Sequence, residues 1–469
     1  KSLDKLAKRY CNYEMQPIKE LIGSGKKAIT FDKVSIDKAT FYACEDADFT
    51  LQVYHKQLKK LDKKENKHSK QILYDLELPL MPVIADMENN GIRVDTDELE
   101  RATAESAAEL ETLKNEIYKE ADEYFNINST KDLQRIFFEK LKYDVVKRTP
   151  KGQPSADKET LKILALKHKL PKLLLRYREL NKLYTTYLTA YPRFINKQTG
   201  RIHTSFNQAG AVSGRFSSSN PNLQNIPALL RKTFVPKNNE YVFLGADYSQ
   251  MELRILADYS QDKNLINAFN SGKDIHTLTA SKVFNVPFKK VTKKQRKIAK
   301  TVNFGIVYGM SAYGLAVRTD LDVKQAKEFI DSYFQHYPDV KRYLSKIKGY
   351  AIKHGYVFTK FNRQIHLKKV FSKDQKVKKE RLRQAQNIPI QGSGADILKM
   401  VMLQLHERLQ DFDVSLVLTV HDELVFEVHK KDVERVKQIV TDAMENVTKL
   451  IVPLKIDVGI GENWYEAKN

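Results

Sequence analysis

Two apolar strand patterns, far apart in the chain and each carrying an aspartate at its end, most constrain the fold. Tyr241 to Ala246 reads as a buried strand that ends in Asp247-Tyr248-Ser249-Gln250 and passes into a helix, Met251 to Tyr259. Val414 to Val420 and Glu423 to Val428 read as a hairpin with a tight turn at His421-Asp422. The sequence from about Gln261 to Ser372 reads as mostly helical. Strands separated by long helical sequence make a mixed α+β chain. Asp247 and Asp422, on rigid strand ends, can meet in space. Each also has a plainer local reading, Asp247 as a helix N-cap and Asp422 as ordinary turn chemistry.

Arg296, Lys300, Phe304 and Tyr308 recur at steps of four. In an α-helix each step overshoots a turn by about 40°, so the four share one broad stripe. Two cations followed by two rings suit a nucleoside triphosphate, with charge for the phosphates and a ring face for the base. A basic amphipathic helix with a solvated face would give the same pattern. Beside Asp247 and Asp422, however, such a helix suits metal-assisted phosphoryl transfer. Two magnesium ions about 4 Å apart would lie between the carboxylates and the substrate phosphates.

The 469 residues are too many for one hydrophobic core and imply roughly two to four domains. Charge points the same way as the stripe: 80 Lys+Arg against 58 Asp+Glu leaves +22, which favours a polyanionic partner. No apolar run approaches the roughly 18 residues needed to span a bilayer. The chain opens Lys1-Ser2-Leu3 with neither Met nor a secretory signal, as expected of a fragment or processed product. Cys11 and Cys44 make no disulfide framework or zinc spacing, which fits a reducing, intracellular compartment.

Nearer the front, Gly23-Ser24-Gly25-Lys26 lacks the spacing of a phosphate loop and reads as a turn. Tyr42 to Asp48 opens a helix, and lysine-rich Lys56 to Lys70 reads as an exposed connection. A helix from Leu76 stops near Asn90-Gly91 and is followed by a short strand. Helices then cover Thr96 to about Tyr124, Ser129 to Leu141 and Asp157 to Leu188. The last interleaves cations with tyrosines, able to track a phosphate backbone or simply to face solvent. Ser213-Gly214-Arg215 and Asn222 to Pro227 form a polar, turn-rich loop. Arg383 to Gln391 leads into a helix from Ala395 to Leu409.

Together these motifs resemble the family A DNA polymerases, the group of bacterial DNA polymerase I. Asp247 to Arg254 resembles the family's motif A. Arg296, Lys300, Phe304, Tyr308 and Gly309 resemble motif B, and Val420-His421-Asp422-Glu423 resembles motif C. Ser213-Gly214-Arg215, Asn222 to Pro227, and Arg383, Asn387 and Gln391 match further family segments.

The resemblance implies a right-hand polymerase fold with palm, fingers and thumb, preceded by a remnant of a 3′–5′ exonuclease-like domain. The expected limits are remnant 1–56, linker 57–72, palm entry 73–98, thumb 99–197, palm 198–260, fingers 261–372 and palm 373–469. It implies Asp247 and Asp422 as catalytic and metal-binding carboxylates, with Tyr248 as a further metal-binding residue, for two Mg2+ ions that Mn2+ can replace. It implies Arg296 and Lys300 on the triphosphate, Lys300 also as a proton donor, and Tyr308 beside the templating base. Glu252 resembles the steric gate against a ribose 2′-hydroxyl, and Phe304 implies discrimination against dideoxynucleotides. Gln250 and His276 join the nucleotide site. Arg215, Asn225, Arg231, Arg383, Asn387, Gln391 and His421 fall to DNA, and Glu423 to a supporting role.

The expected partners are primer-template DNA and deoxynucleoside triphosphates, with no membrane, acting as a monomer. The expected location is intracellular: cytoplasm or nucleoid if bacterial, the host cell if viral, an organelle if processed from a eukaryotic precursor. Two departures stand out. Tyr42 and Asp46 resemble the third motif of the proofreading exonuclease, but the two earlier motifs should lie before residue 1, so no proofreading is expected. Phe361-Asn362-Arg363-Gln364 replaces a Gly-Arg-Arg-like turn. Two rivals remain at this stage. One is a single-subunit RNA polymerase, which Glu252 opposes. The other is a non-catalytic DNA-binding scaffold, which both aspartates oppose.

Overall fold

The computed structural model describes residues 2–319 and 321–468. They fall into two compact units, one reaching to Pro79 and taking in Asn362–Gln364, the other holding the rest from Leu80 onward.

The first unit is built on α1, Ile36–Leu61. Glu45, buried on this helix, accepts bonds from the Tyr13 hydroxyl (2.9 Å) and the Gln16 amide (2.8 Å), while Tyr13 stacks on Phe49. Those contacts tie the preceding segment to α1. The helix starts six residues before the Tyr42 expected from sequence. Ile36 is 83% exposed, so its first turn shows no inward apolar stripe. Lys56–Lys70 is free of buried residues, as expected of an exposed stretch, yet largely helical. Arg363, within the departed turn, pairs with Glu77 at 2.5 Å, and Asn362 takes a left-handed φ of 63°.

The second unit opens with a helix, Leu80–Asn90, and a short strand, Ile92–Val94. α2, Thr96–Ala121, follows, its first amides capped by the Asp95 carboxylate. It packs against Lys169–Leu183 and buries Leu110, Leu113 and Ile117 with Leu174, Tyr177 and Leu180. The interleaved tyrosines are thus partly core, and Arg176 is paired with Glu109 at 2.7 Å.

The central sheet has four strands: β1, Tyr241–Tyr248; β2, Val414–Val420; β3, Glu423–His429; and β4, Ile456–Gly461. Their order is β4-β1-β3-β2, antiparallel throughout. β1 is buried along almost its whole length, as a strand covered on both faces must be. Tyr248 lies on one face, its hydroxyl on the Met444 carbonyl of the helix Val433–Asn446 (2.7 Å). Gly245 and Asp247 lie on the other.

Helices α3 (Met251–Ser260), α4 (Ile275–Val283) and α5 (Lys293–Val307) follow β1. The region to Ser372 is helical as expected, apart from short strands at Tyr356–Phe358 and Gln364–His366. α6 corrects the expected helix Ala395–Leu409: it runs 34 residues, Gln375–Arg408, capped by Asp374. Pro389, Gly392 and Gly394 read as breakers in sequence, but all three are buried within it. A Cβ at Gly392 would come within 2.7 Å of Thr359 Cγ2 and 3.0 Å of the Ser213 carbonyl, so close packing selects glycine there.

Candidate functional site

Asp247 and Glu423 face each other in register across β1 and β3. Asp422 precedes Glu423 in the two-residue turn, where His421 has φ 58°. The Tyr248 amide donates to the Asp422 carbonyl at 3.2 Å, fixing the turn against the end of β1. The sheet therefore brings the two aspartates to one edge. Asp247 is not a helix N-cap; that position belongs to Gln250, itself left-handed at φ 57°. Burial, with Glu423 and Asp422 adding to it, pushes the Asp247 carboxyl above its ordinary value against the pull of Lys468. Tyr248 turns its side chain away from this edge, leaving only its main chain nearby.

Arg215 joins the aspartates to the helices. Its Nη2 donates to Glu252 Oε1 at 2.9 Å and to Asp422 Oδ1 at 3.2 Å. The Tyr308 hydroxyl donates to the same Glu252 oxygen at 3.1 Å and accepts from Gln391 Nε2 at 3.2 Å. One chain of bonds thus runs from Gln391 on α6 to the hairpin tip. Burial raises the Glu252 carboxyl above its ordinary value, against the opposing pull of Arg215. Among the described residues, Glu252 Oε2 and Arg215 Nε are buried without a protein partner. A cleft of about 400 Å³ opens here, walled by Arg215, Asp247, Gln250, Glu252, Phe304, Tyr308, His421, Asp422 and Lys468. Burial lowers the His421 imidazole below its ordinary value.

The stripe forms on α5 under a capping box of Thr292 and Gln295. Arg296 and Lys300 are exposed and Phe304 half-buried. Tyr308 sits one residue past the helix, at its C-cap. Gly309 has φ 64°, its amide bonds Ile306 O, and the Met310 amide bonds Gly305 O. This left-handed exit turns the chain after Tyr308.

Arg296 is engaged by a residue outside the expected site. Asp274 takes its Nε and Nη2 at 2.9 Å each. Although burial opposes it, the Arg296 and Thr277 bonds hold the Asp274 carboxyl down at about 2. His276 is buried between α4 and α5, its ring 5.6 Å from that of Phe304. The Thr279 hydroxyl donates to Asn303 Oδ1, so the Asn303 amide donates to His276 Nδ1 and the ring proton lies on Nε2. Burial lowers this imidazole to about 4, against Asp274 and with Arg296 and Lys300.

Asn225, Arg231, Arg383 and Asn387 are not among the residues that wall this cleft. Asn225 is exposed, with its carbonyl bonded by Tyr187 at 2.8 Å. Arg231 stacks over Trp464 at 4.3 Å and approaches Glu423 at 3.5 Å. Arg383 is exposed on α6, and Asn387 Oδ1 is buried without a partner among the described residues. Tyr42 and Asp46, on α1 of the first unit, lie one helical turn apart; burial and then Asp46 raise the Tyr42 phenol. Sequence reasoning missed Lys468, whose Nζ lies 3.2 Å from Asp247 Oδ2 and 2.7 Å from Glu423 Oε2. A signal existed: Gly459 and Gly461 share one strand face, which marks the close approach of another backbone.

At this sheet edge Asp422 is joined through Arg215 and Glu252 to Tyr308 at the end of the cationic helix, while Asp247 is paired with Lys468. Residues 96–466 match the model of DNA polymerase family A, and residues 1–62 match a 3′-5′ exonuclease model. The chain belongs to DNA polymerase family A. DNA polymerase I of Pseudomonas aeruginosa is 40% identical over 474 positions, covering 99% of this chain and 52% of that protein. That of Geobacillus stearothermophilus is 42% identical over 416, covering 87% and 47%. The chain thus spans about half the length of the curated relatives it matches. The polymerase domain of Pol1 from M. smegmatis, solved with DNA primer-template and dNTP, superposes with a TM-score of 0.88 at 34% identity. The match covers 100% of this chain and 79% of that one. The expected mixed fold of a family A polymerase domain is the fold observed. No helix among the described residues is long and apolar enough to cross a membrane.

Proposed function

We propose that this chain extends a DNA primer on a DNA template by adding deoxynucleotides and releasing pyrophosphate. The observation that carries this reading is the meeting of Asp247 and Asp422 at one sheet edge, inside the cleft that also holds Glu252 and Tyr308. Asp247 and Asp422 suit divalent cations. Lysine and arginine already stand on them as positive partners, at 3.2 Å each, and burial, with Glu423 and Asp422 adding to it, pushes Asp247 up. No group of three or more His, Cys, Asp or Glu able to hold a metal occurs among the described residues, so the fit rests on this pair plus substrate oxygens. Two Mg2+ ions, or Mn2+ in their place, would supply an acidified primer hydroxyl and neutralise charge on the leaving pyrophosphate.

The chain's own residues do the rest. The primer 3′-hydroxyl gives its proton to solvent as its oxygen attacks the α-phosphorus, the bond to pyrophosphate breaks, and the Lys300 ammonium donates a proton to the leaving group. Arg296 and Lys300, exposed on α5, meet the triphosphate, which requires Arg296 to exchange Asp274 for phosphate oxygens. Phe304 and Tyr308 flank the incoming nucleotide and templating base. Glu252 crowds the sugar's 2′ position, held there by Arg215 and Tyr308, and Gln250 borders the same space. Neutral His276 supports Phe304 from beneath. Arg215, Gln391 and His421 serve the primer end, and Asn225, Arg383 and Asn387 the duplex. Arg231 reaches DNA only beyond its contacts to Glu423 and Trp464. Glu423 supports the site, and Tyr248 contributes through its main chain.

In this reading the palm, fingers and thumb keep the limits expected from sequence, and the protein acts as an intracellular monomer. Tyr42 and Asp46 alone do not sustain trimming, so the chain does not proofread. The test is extension of a labelled primer with deoxynucleotides or ribonucleotides, with and without magnesium, including a 3′-mismatched primer. Magnesium-dependent deoxynucleotide addition without trimming is expected. Asp422→Ala should abolish extension while DNA binding survives; near-normal extension by it would overturn the assignment, and efficient ribonucleotide addition would favour an RNA polymerase.

A further inference from the structure

The segment Asn463–Lys468 is pressed flat on the sheet beside the aspartates. Gly245 and Gly459 are cross-strand partners, and a Cβ on either would come within 2.5 Å of the Ala467 carbonyl. A Cβ on Gly461 would meet Glu466 Cβ at 2.4 Å. Three glycines on one face therefore leave the space this segment fills. Trp464, fully buried, anchors it and donates its indole N–H to Glu423 Oε1 at 3.0 Å. The segment delivers the Lys468 ammonium to the gap between Asp247 and Glu423.

We propose that Lys468 is a positioning residue of the metal site: a resident counter-cation that competes with a divalent ion for Asp247 and keeps Glu423 out of the ligand set. The proposal rests on the reading of Asp247 and Asp422 as metal carboxylates. Glu423 is satisfied at both oxygens, by Trp464 on Oε1 and by Lys468 and Arg231 on Oε2. Its contact with Lys468, at 2.7 Å, is also shorter than that of Asp247, at 3.2 Å. An arriving divalent ion can take the Asp247 oxygen while the ammonium stays on Glu423. A fixed positive charge so close to the ligand lowers the site's affinity for a second cation, by about tenfold even where water screens the pair almost as strongly as in bulk.

The test is Mn2+ binding to the whole protein without DNA, read from the free-ion electron paramagnetic resonance signal. Lys468→Met and Lys468→Gln, which remove the charge, are expected to bind Mn2+ about tenfold more tightly. Lys468→Arg should stay near the parent. Thermal unfolding in EDTA should fall for the two neutral variants and recover with Mn2+, which also reports that they fold. Unchanged Mn2+ affinity in both neutral variants, with binding lost in Asp247→Asn, would overturn the role of Lys468 and leave the metal site standing. Binding indifferent to Asp247→Asn would remove the metal site, and the proposal with it.

Discussion

At the residue scale, Arg215 carries more of the site than any other side chain. It is a largely buried cation shared by Glu252 and Asp422. Removing it strands two carboxylates, so Arg215→Met should lose about 3 kcal/mol of stability in urea unfolding. Adding Glu252→Gln should recover part of that loss; a double variant no more stable than the single would break the pairing argument. Glu252→Ala alone should raise ribonucleotide incorporation relative to deoxynucleotide by roughly tenfold or more in competition assays. His276 gives a pH signature. Its imidazole is lowered to about 4 in the fold, from an ordinary value near 6.5. The unfolded chain therefore binds the extra proton first, and stability falls as pH drops through that window. His276→Gln should flatten this part of a melting-temperature profile; an unchanged slope would assign it elsewhere.

At the element scale, the exit of α5 decides where Tyr308 points. Gly309 occupies the left-handed turn, and a Cβ there would come within 2.9 Å of Arg383 Cγ. Gly309→Ala should cost about 1–2 kcal/mol and depress kcat/KM for nucleotides, both measurable on one preparation. Elements differed in how well they could be read from sequence. The β2–β3 hairpin and β1 were legible because unbroken apolar strands end in turn residues. The start of α6 was not, because Pro389, Gly392 and Gly394 signal breaks that burial overrides. The start of α1 was hidden by exposed Ile36. Asp247, Asp422, Glu252 and Tyr308 were legible as motif residues, but the chain of bonds that joins the last three through Arg215 exists only once four distant segments meet. Lys468 and Asp274 act through tertiary neighbours: only the Gly459–Gly461 spacing hints at the first, and the second reads locally as the N-cap of α4.

For the whole molecule, the formal charge of +22 turns the proposed DNA-binding role into a prediction, that phosphate-backbone contacts should dominate the affinity. Binding of primer-template should weaken by about a thousandfold or more from 50 to 200 mM salt if six or more phosphates are neutralised. A shallow dependence in fluorescence anisotropy would mean that the charge lies away from the DNA path. The order of the central sheet carries a different consequence. β1 sits inside the sheet, yet both of its partners, β3 and β4, come from much later in the chain. A ribosome adding about 5–20 residues per second would leave β1 bare at both edges for on the order of ten seconds or more. Nascent chains arrested before Val414 should expose Tyr241–Tyr248 to protease, and chains carrying the full sheet should protect it. Asp247 is thus synthesised well before Asp422 and Glu423, and the edge that gathers the three carboxylates exists only once the β2–β3 hairpin has been made.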